Sequence, residues 1–286
     1  MAKGLRELKR KIKSTQNMKQ ITKAMEMIAA ANLRKAQNAA ESARPYADKM
    51  KEVISSIAAG TKDAIHPMLQ KRPIRKTGYL VITSDRGLAG GYNANVLRMV
   101  MNKIKERHKS PDEYVVFVIG RKGRDFFRKR NIPLADEVTG LPDSPRFSDI
   151  KEIASKAVQY FADEKYDQLF LVYNKFNSPI SQTPVERQLL PLADVTTEGP
   201  ITDYEYEPSA EEVLGVLLPK YAETLIYSAL LEGKASEFGA RMTAMGNATK
   251  NATEMISGLT LQYNRARQAS ITQEITEIVA GANALS

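Results

Sequence analysis

The sequence predicts two very long helices, one at each end of the chain, flanking a small α/β domain. Three observations carry that prediction. Apolar residues recur at three- and four-residue intervals near the N-terminus and again, over a longer run, near the C-terminus, the spacing that lines one face of a helix. Between them, short apolar runs alternate with helical segments, the mark of a sheet with parallel pairing. Aromatic residues reach only 7% and tryptophan is absent, which suits helix-on-helix packing better than a thick aromatic core.

The N-terminal helix reads from Leu5 to about Ile57. Leu5, Leu8 and Ile12 form one apolar group, and Met18, Ile21, Met25 and Ile28 a second. The step from Ile12 to Met18 breaks heptad register, so any supercoil is expected to be local. The methionines Met18, Met25 and Met27 read either as a soft, adaptable contact surface or, as the pattern favours, as core. Pro45 is expected to kink or interrupt the helix, and Gly60 with His66-Pro67 to end it.

In the middle, from roughly Arg75 to Leu192, Tyr79–Thr83, Tyr114–Ile119 and Gln168–Tyr173 read as strands. A helix follows the first strand as far as about Lys109, and 121–130 and 148–163 read as further helices. The stretch 177–208 holds Pro179, Pro184, Pro191, Pro200 and Pro208. It reads as an edge strand followed by an exposed connection.

The C-terminal helix opens on Ser209-Ala-Glu-Glu212, a capping box in which serine and glutamate satisfy each other's backbone N–H groups. It runs to about Ala280, with a disturbance expected at Pro219. Phe238, Met242, Met245, Thr249, Ala252, Ile256, Leu259, Tyr263 and Ala266 keep an unbroken 4–3 spacing, a coiled-coil seam. Beyond it the stripe moves over to Ile271, Ile275 and Ile278. Gly233, Gly239, Gly246 and Gly258 lie inside the helix, each costing ~1 kcal/mol relative to alanine, and suggest close approach of a partner helix. At 1.5 Å per residue the two helices would reach about 80 and about 100 Å.

Composition narrows the function. The 286 residues include no cysteine, which excludes disulfides, thiolate nucleophiles and thiolate metal sites. His66 and His108 are the only histidines and share no ligand spacing. No run approaches the ~20 apolar residues that span a bilayer, and the basic start, without an apolar stretch, is not expected to be a secretory signal. Of the net charge of +9, nearly all lies in residues 1–35, where ten basic residues face only Glu7 and Glu26. Such a block suits an acidic partner, nucleic acid or an anionic surface.

The loop Ser84-Asp85-Arg86-Gly87-Leu88-Ala89-Gly90-Gly91-Tyr92 is the strongest candidate for chemistry, because a glycine-rich turn from strand to helix presents N–H groups to phosphate. It has no Gly-Lys-Ser/Thr, however, and its glycines are not spaced as G-x-G-x-x-G. A structural turn held by Asp85 and Arg86 is the competing reading. The formal glycosylation sequons at Asn247 and Asn251 fall on the seam helix and carry no weight.

Three segments together resemble one family. NMKQITKAMEMIAAANLRKAQ, SDRGLAGGYN and LTLQYNRARQASITQEITEIVAGA are similar to the gamma subunit of F-type ATP synthases, and the likeness extends along the whole chain. Ala89 stands where many relatives carry cysteine, and no cysteine-bearing insertion of the chloroplast kind lies near residue 200, which points to a bacterial type. The resemblance implies an antiparallel coiled coil of segments 1–60 and 209–286 around a central Rossmann-like α/β domain, 75–195. It implies a non-catalytic, cofactor-free rotor in a proton- or sodium-driven synthase. Its partners would be the alpha and beta subunits, the epsilon subunit and the c-ring, at the cytoplasmic face of the bacterial membrane. Lys23, Met25, Arg267, Gln268, Thr272, Glu274, Ile278 and Val279 would meet the alpha/beta ring. Tyr204, Tyr206 and Glu207 would form the foot on the c-ring and epsilon. Residues near 20–30 are expected opposite residues near 250–265. Two rival readings are a basic coiled-coil nucleic-acid binder and a Rossmann-like nucleotide-binding enzyme.

Overall fold

The computed structural model describes residues 2–60, 66–192, 207 and 209–285. Two helices dominate it: α1, Ala2–Gly60, and α5, Ala210–Leu285. Neither proline interrupts its helix. Pro45 leaves the carbonyl of Glu41 without its N–H partner and Pro219 that of Gly215. Both of those residues are exposed, which leaves the freed carbonyls open to solvent. Half of the capping box is present, with the Glu212 N–H donating to Ser209 Oγ at 3.2 Å.

Between the long helices come β1 (Thr77–Ile82), α2 (Tyr92–Arg107), β2 (Tyr114–Ile119), α3 (Arg121–Arg128), β3 (Leu134–Val138), α4 (Lys151–Ala162), β4 (Gln168–Ser178) and β5 (Ser181–Leu190). They build one sheet in the order β3-β2-β1-β4-β5. The first four strands are mutually parallel, and β5 returns antiparallel to β4 as an edge. Strand β3 escapes the sequence reading because Leu-Ala-Asp-Glu-Val is poor in β-formers and every position in it is half-buried. Helix α3 is shorter than expected. Asn131 takes a left-handed φ of 55°, and the Ile132 N–H reaches back to the Phe127 carbonyl at 3.1 Å, a helix stop of the Schellman kind.

The chain divides into two units, residues 29–241 and residues 1–28 with 242–286. In the first, the alternation of side chains along β1 sends Leu80 and Ile82 to one face and Tyr79 and Val81 to the other. Leu80 and Ile82 join Ile54 and Ile57 of α1, Phe161 of α4 and Leu218, Ile226 and Leu230 of α5 in the larger core. Tyr79 and Val81 pack with Val96, Val100 and Phe127 from α2 and α3.

In the second unit the two helices pair antiparallel. Thr22 Oγ1 lies 2.8 Å from Thr249 Oγ1 and Thr15 Oγ1 3.9 Å from Met255 Sδ, so the partners of residues 20–30 lie roughly three turns nearer the start of α5 than expected. The inner face of α1 runs through Leu5, Leu8, Ile12, Thr15, Lys19, Thr22 and Glu26 without a break, each at least partly buried. The apparent break at Ile12 arose from following apolar residues only; the seam continues through polar ones. Met18, Ile21, Met27 and Ile28 are therefore exposed, and Met25 is half-buried. A single partner helix covers a narrow stripe, so methionines off that stripe stay in solvent.

Candidate functional site

The glycine-rich loop leaves β1 at Ile82 and enters α2 at Tyr92. Ser84 and Asp85 turn their polar groups into the protein, while Arg86 stays exposed. Asp85 accepts from the Arg121 N–H at 2.9 Å and from the Leu141 N–H at 3.1 Å, which places a carboxylate at the start of α3 where an external anion would otherwise sit. Ser84 N–H donates to Asn93 Oδ1 at 3.0 Å, and Asn93 Nδ2 donates to Ser84 Oγ at 2.8 Å. Leu88 and Gly90 both take left-handed φ, 61° and 55°. Gly120 is obligatory at the neighbouring turn, because its φ is 102° and a Cβ there would lie 2.2 Å from the Thr83 carbonyl oxygen.

In open α/β sheets, ligands bind beyond the C-terminal ends of the strands. Here α5 occupies that position. Tyr92 Oη donates to the Gly233 carbonyl at 3.0 Å, Ser236 Oγ to the Asn174 carbonyl at 2.7 Å, and Asn174 Nδ2 to the Tyr92 carbonyl at 2.9 Å. A Cβ on Gly233 would meet Ile82 Cγ2 at 3.3 Å, so the helix backbone lies against the strand end. Gly239 likewise approaches Phe176 and Pro179. Gly246, which faces α1, has only ordinary contact with Glu26, and Gly258 has nothing near it, so none of the four glycines marks the expected close approach of a partner helix; Gly233 and Gly239 instead let α5 lie against the sheet.

The same stretch of α5 buries three charges that sequence reading missed. Lys234 Nζ stands 3.3 Å from Glu237 Oε2, and Arg241 Nη1 stands 2.8 Å from Glu237 Oε1. Arg241 Nη2 also reaches the carbonyls of Arg86 and Gly87 at 3.4 and 3.3 Å. Burial and the nearby Glu237 carboxylate both raise the pKa of Tyr92, which keeps its hydroxyl a donor. The signal was available in Gly-Lys-Ala-Ser-Glu-Phe-Gly-Ala-Arg: charges three and four apart among small residues share one helix face.

The sequence-predicted contact residues behave differently. Lys23 is exposed and paired with Glu26 at 3.2 Å, while Arg267, Gln268, Thr272 and Glu274 are exposed without a side-chain partner among the described residues. From Ile271 to Asn283 every residue of α5 is exposed. Ile278 and Val279 are 72% and 53% accessible. Tyr204 and Tyr206 lie outside the described residues, and Glu207 is exposed.

Comparison with known proteins gives a consistent result. Residues 4–285 match the ATP synthase family. A Brevibacillus brevis protein named ATP synthase gamma chain is 70% identical over 285 residues, covering 99% of each chain. Among solved structures, a chain from the central stalk and c-ring of the Tetrahymena thermophila mitochondrial ATP synthase aligns with a TM-score of 0.62 at 28% identity. It covers 80% of this chain and 99% of its own. A chain from the rotor of the Euglena gracilis mitochondrial ATP synthase aligns with a TM-score of 0.66 over 95% of this chain and 100% of its own. At 19% identity that second likeness speaks for the fold alone.

Proposed function

Because the chain belongs to the ATP synthase gamma family, we propose that it is the turning shaft that ties ion flow through a membrane ring to nucleotide chemistry elsewhere in the complex. It is a central-stalk subunit and non-catalytic. Neither rival reading gains support from the family match, and the crevice a nucleotide-binding enzyme would need is filled by α5.

The observation that carries the mechanical reading is the bare end of α5. Ile271, Ile275, Ile278 and Val279 stand between 49% and 72% exposed, a stripe of apolar residues with nothing among the described residues to cover it. Such a stripe suits a surrounding sleeve, which we assign to the alternating alpha and beta subunits. In this reading Lys23 and Met25 on α1 lie against a beta subunit, and Arg267, Gln268, Thr272 and Glu274 on α5 are the polar contacts with that ring. Ile278 and Val279 form an apolar bearing, where a buried charge would be costly and would hold one angle. Tyr204, Tyr206 and Glu207 are the foot on the c-ring and epsilon subunit. Segments 1–60 and 209–286 act as the shaft and 75–195 as the body that receives torque. The complex is membrane-associated, and we place this chain at the cytoplasmic face of a bacterial membrane, peripheral, with protons or sodium as the coupling ion.

The test is reconstitution of the whole complex in vesicles with and without this chain. Hydrolysis-driven ion uptake is expected only when the chain is present. Full uptake in its absence overturns the reading.

A further inference from the structure

The parallel sheet gathers an unusual set of side chains at one end. Strands β1 to β4 all start at the same end, so the segments that lead into them must lie together there. Those segments supply Lys71 and Arg75 before β1, Lys105 and Lys109 before β2, and Lys129 before β3. All five are exposed, and none has a side-chain partner among the described residues. Most acidic groups of the same rim are already engaged; among the described residues Asp112 accepts only from Ser110 Oγ, and Glu164 lies 3.7 Å from Arg72. Asp167 pairs with Arg72 at 3.0 Å and accepts from the N–H groups of Arg75 and Lys76. Glu106 pairs with Lys103, Asp163 with Lys165, and Glu113 accepts from the Lys109 N–H.

Complementing the helix dipole accounts for cations at the ends of α2 and α3. It does not account for Lys71 and Arg75, which follow only a three-residue helical turn, Pro67–Leu69. Between them, Ile74 is 61% exposed. The segment is held in shape from beneath: Arg72 turns inward, its Nη2 donating to the Phe161 carbonyl at 2.8 Å and its guanidinium lying 4.4 Å from the Phe161 ring centroid. An anchored loop thus presents an isoleucine flanked by free cations, the combination that seats a protein on an anionic bilayer surface.

We propose that this rim is a docking surface for anionic phospholipid headgroups, with Ile74 entering the interface and Lys71 and Arg75 as its main electrostatic contacts. The proposal stands on the charge and geometry of the rim, and its test does not involve rotation. Vesicle flotation alone would not isolate the rim, because α1 is also basic. The cysteine-free chain allows a site-specific test on the full-length protein. A polarity-sensitive fluorophore is attached at Ile74→Cys or, separately, at Ile180→Cys. Ile180 is 82% exposed and lies just past the far end of β4, whose eleven residues span about 35 Å.

On vesicles of mixed phosphatidylglycerol and phosphatidylcholine, the label at 74 should shift to the blue, and the label at 180 should not. Pure phosphatidylcholine or high salt should abolish the shift. Adding Lys71→Gln and Arg75→Gln should weaken the response about fivefold per cation, about 25-fold together. An equal shift at position 180, or a shift at 74 indifferent to the two substitutions, overturns the proposal. So does a label at 74 that ignores anionic vesicles but answers to polyglutamate, which would assign the rim to an acidic protein.

Discussion

Replacing Glu237 with glutamine removes the only anion from a triad whose members are 4–8% exposed. Lys234 and Arg241 would then be two buried cations with no counter-charge. Breaking a buried pair in this way costs about 3–5 kcal/mol. Arg241→Met acts on the same triad with a different result. It leaves the Lys234–Glu237 pair, 3.3 Å apart, electrically neutral, and keeps an unbranched side chain beside Phe238. What it loses is one ion pair and two long contacts to the carbonyls of Arg86 and Gly87. Those carbonyls belong to a loop whose Arg86 side chain is 78% exposed, so water is close at hand. The expected loss is about 1–2 kcal/mol. For a unit of this size each kcal/mol moves the melting temperature by roughly 2–4 °C. Calorimetry should therefore find Glu237→Gln lower by roughly 6–20 °C and Arg241→Met by roughly 2–8 °C. Arg241→Met proving equal or worse would refute the charge-balance argument.

Three further outcomes are expected. Gly258→Ala places its Cβ in open space and should stabilise α5 by up to ~1 kcal/mol, whereas Gly233→Ala crowds Ile82 and the Tyr92 hydroxyl and should lower the melting temperature; the opposite order would contradict the packing described. Burial lowers the pKa of His108 from 6.5, favouring the neutral ring that lies 2.9 Å from Tyr79 Oη. Its contribution to stability is complete above about pH 6.5 and is lost as pH falls through the lowered folded value, so His108→Gln should flatten the acid limb of a stability profile; an unchanged slope would remove His108 from that account. Gln268→Ala with Thr272→Ala should leave folding and assembly intact, since both side chains are exposed. It should cut ATP turnover of the complex about tenfold, the loss of ~1–2 kcal/mol of polar contact; a complex with full turnover would show that ring contact lies elsewhere.

The long helices were legible because their repeat is sustained. The α5 seam from Phe238 to Ala266 appears in the structure as the less exposed stripe. Strands β1, β2 and the first part of β4, as far as Tyr173, were equally clear, being largely buried on both faces and hence mostly apolar. Strand β3 was not, since a half-buried edge strand tolerates Asp136 and Glu137, which pair with Lys156 and Arg128. On α1 the apolar pattern misled: Thr15, Lys19 and Thr22 line the seam while Met18 and Ile21 do not. A polar side chain at a seam position is invisible to a hydrophobic count, although the Thr22–Thr249 hydroxyl contact serves to fix register. The sequence also argued against a phosphate-binding role for the glycine-rich loop from spacing alone. That α5 fills the crevice beyond it depends on contacts some 150 residues apart, such as Tyr92 with Gly233, which no local pattern encodes.

A rotor shaft must turn inside its complex. A single cysteine at Ile180, exposed at the β4–β5 hairpin tip, gives a unique attachment point in an otherwise cysteine-free chain. With the alpha/beta ring fixed to a surface and a bead on that cysteine, ATP should drive sustained rotation in one direction, and the motion should stop when ATP is removed. A bead that stays still while the same complexes hydrolyse ATP at full rate would contradict the account.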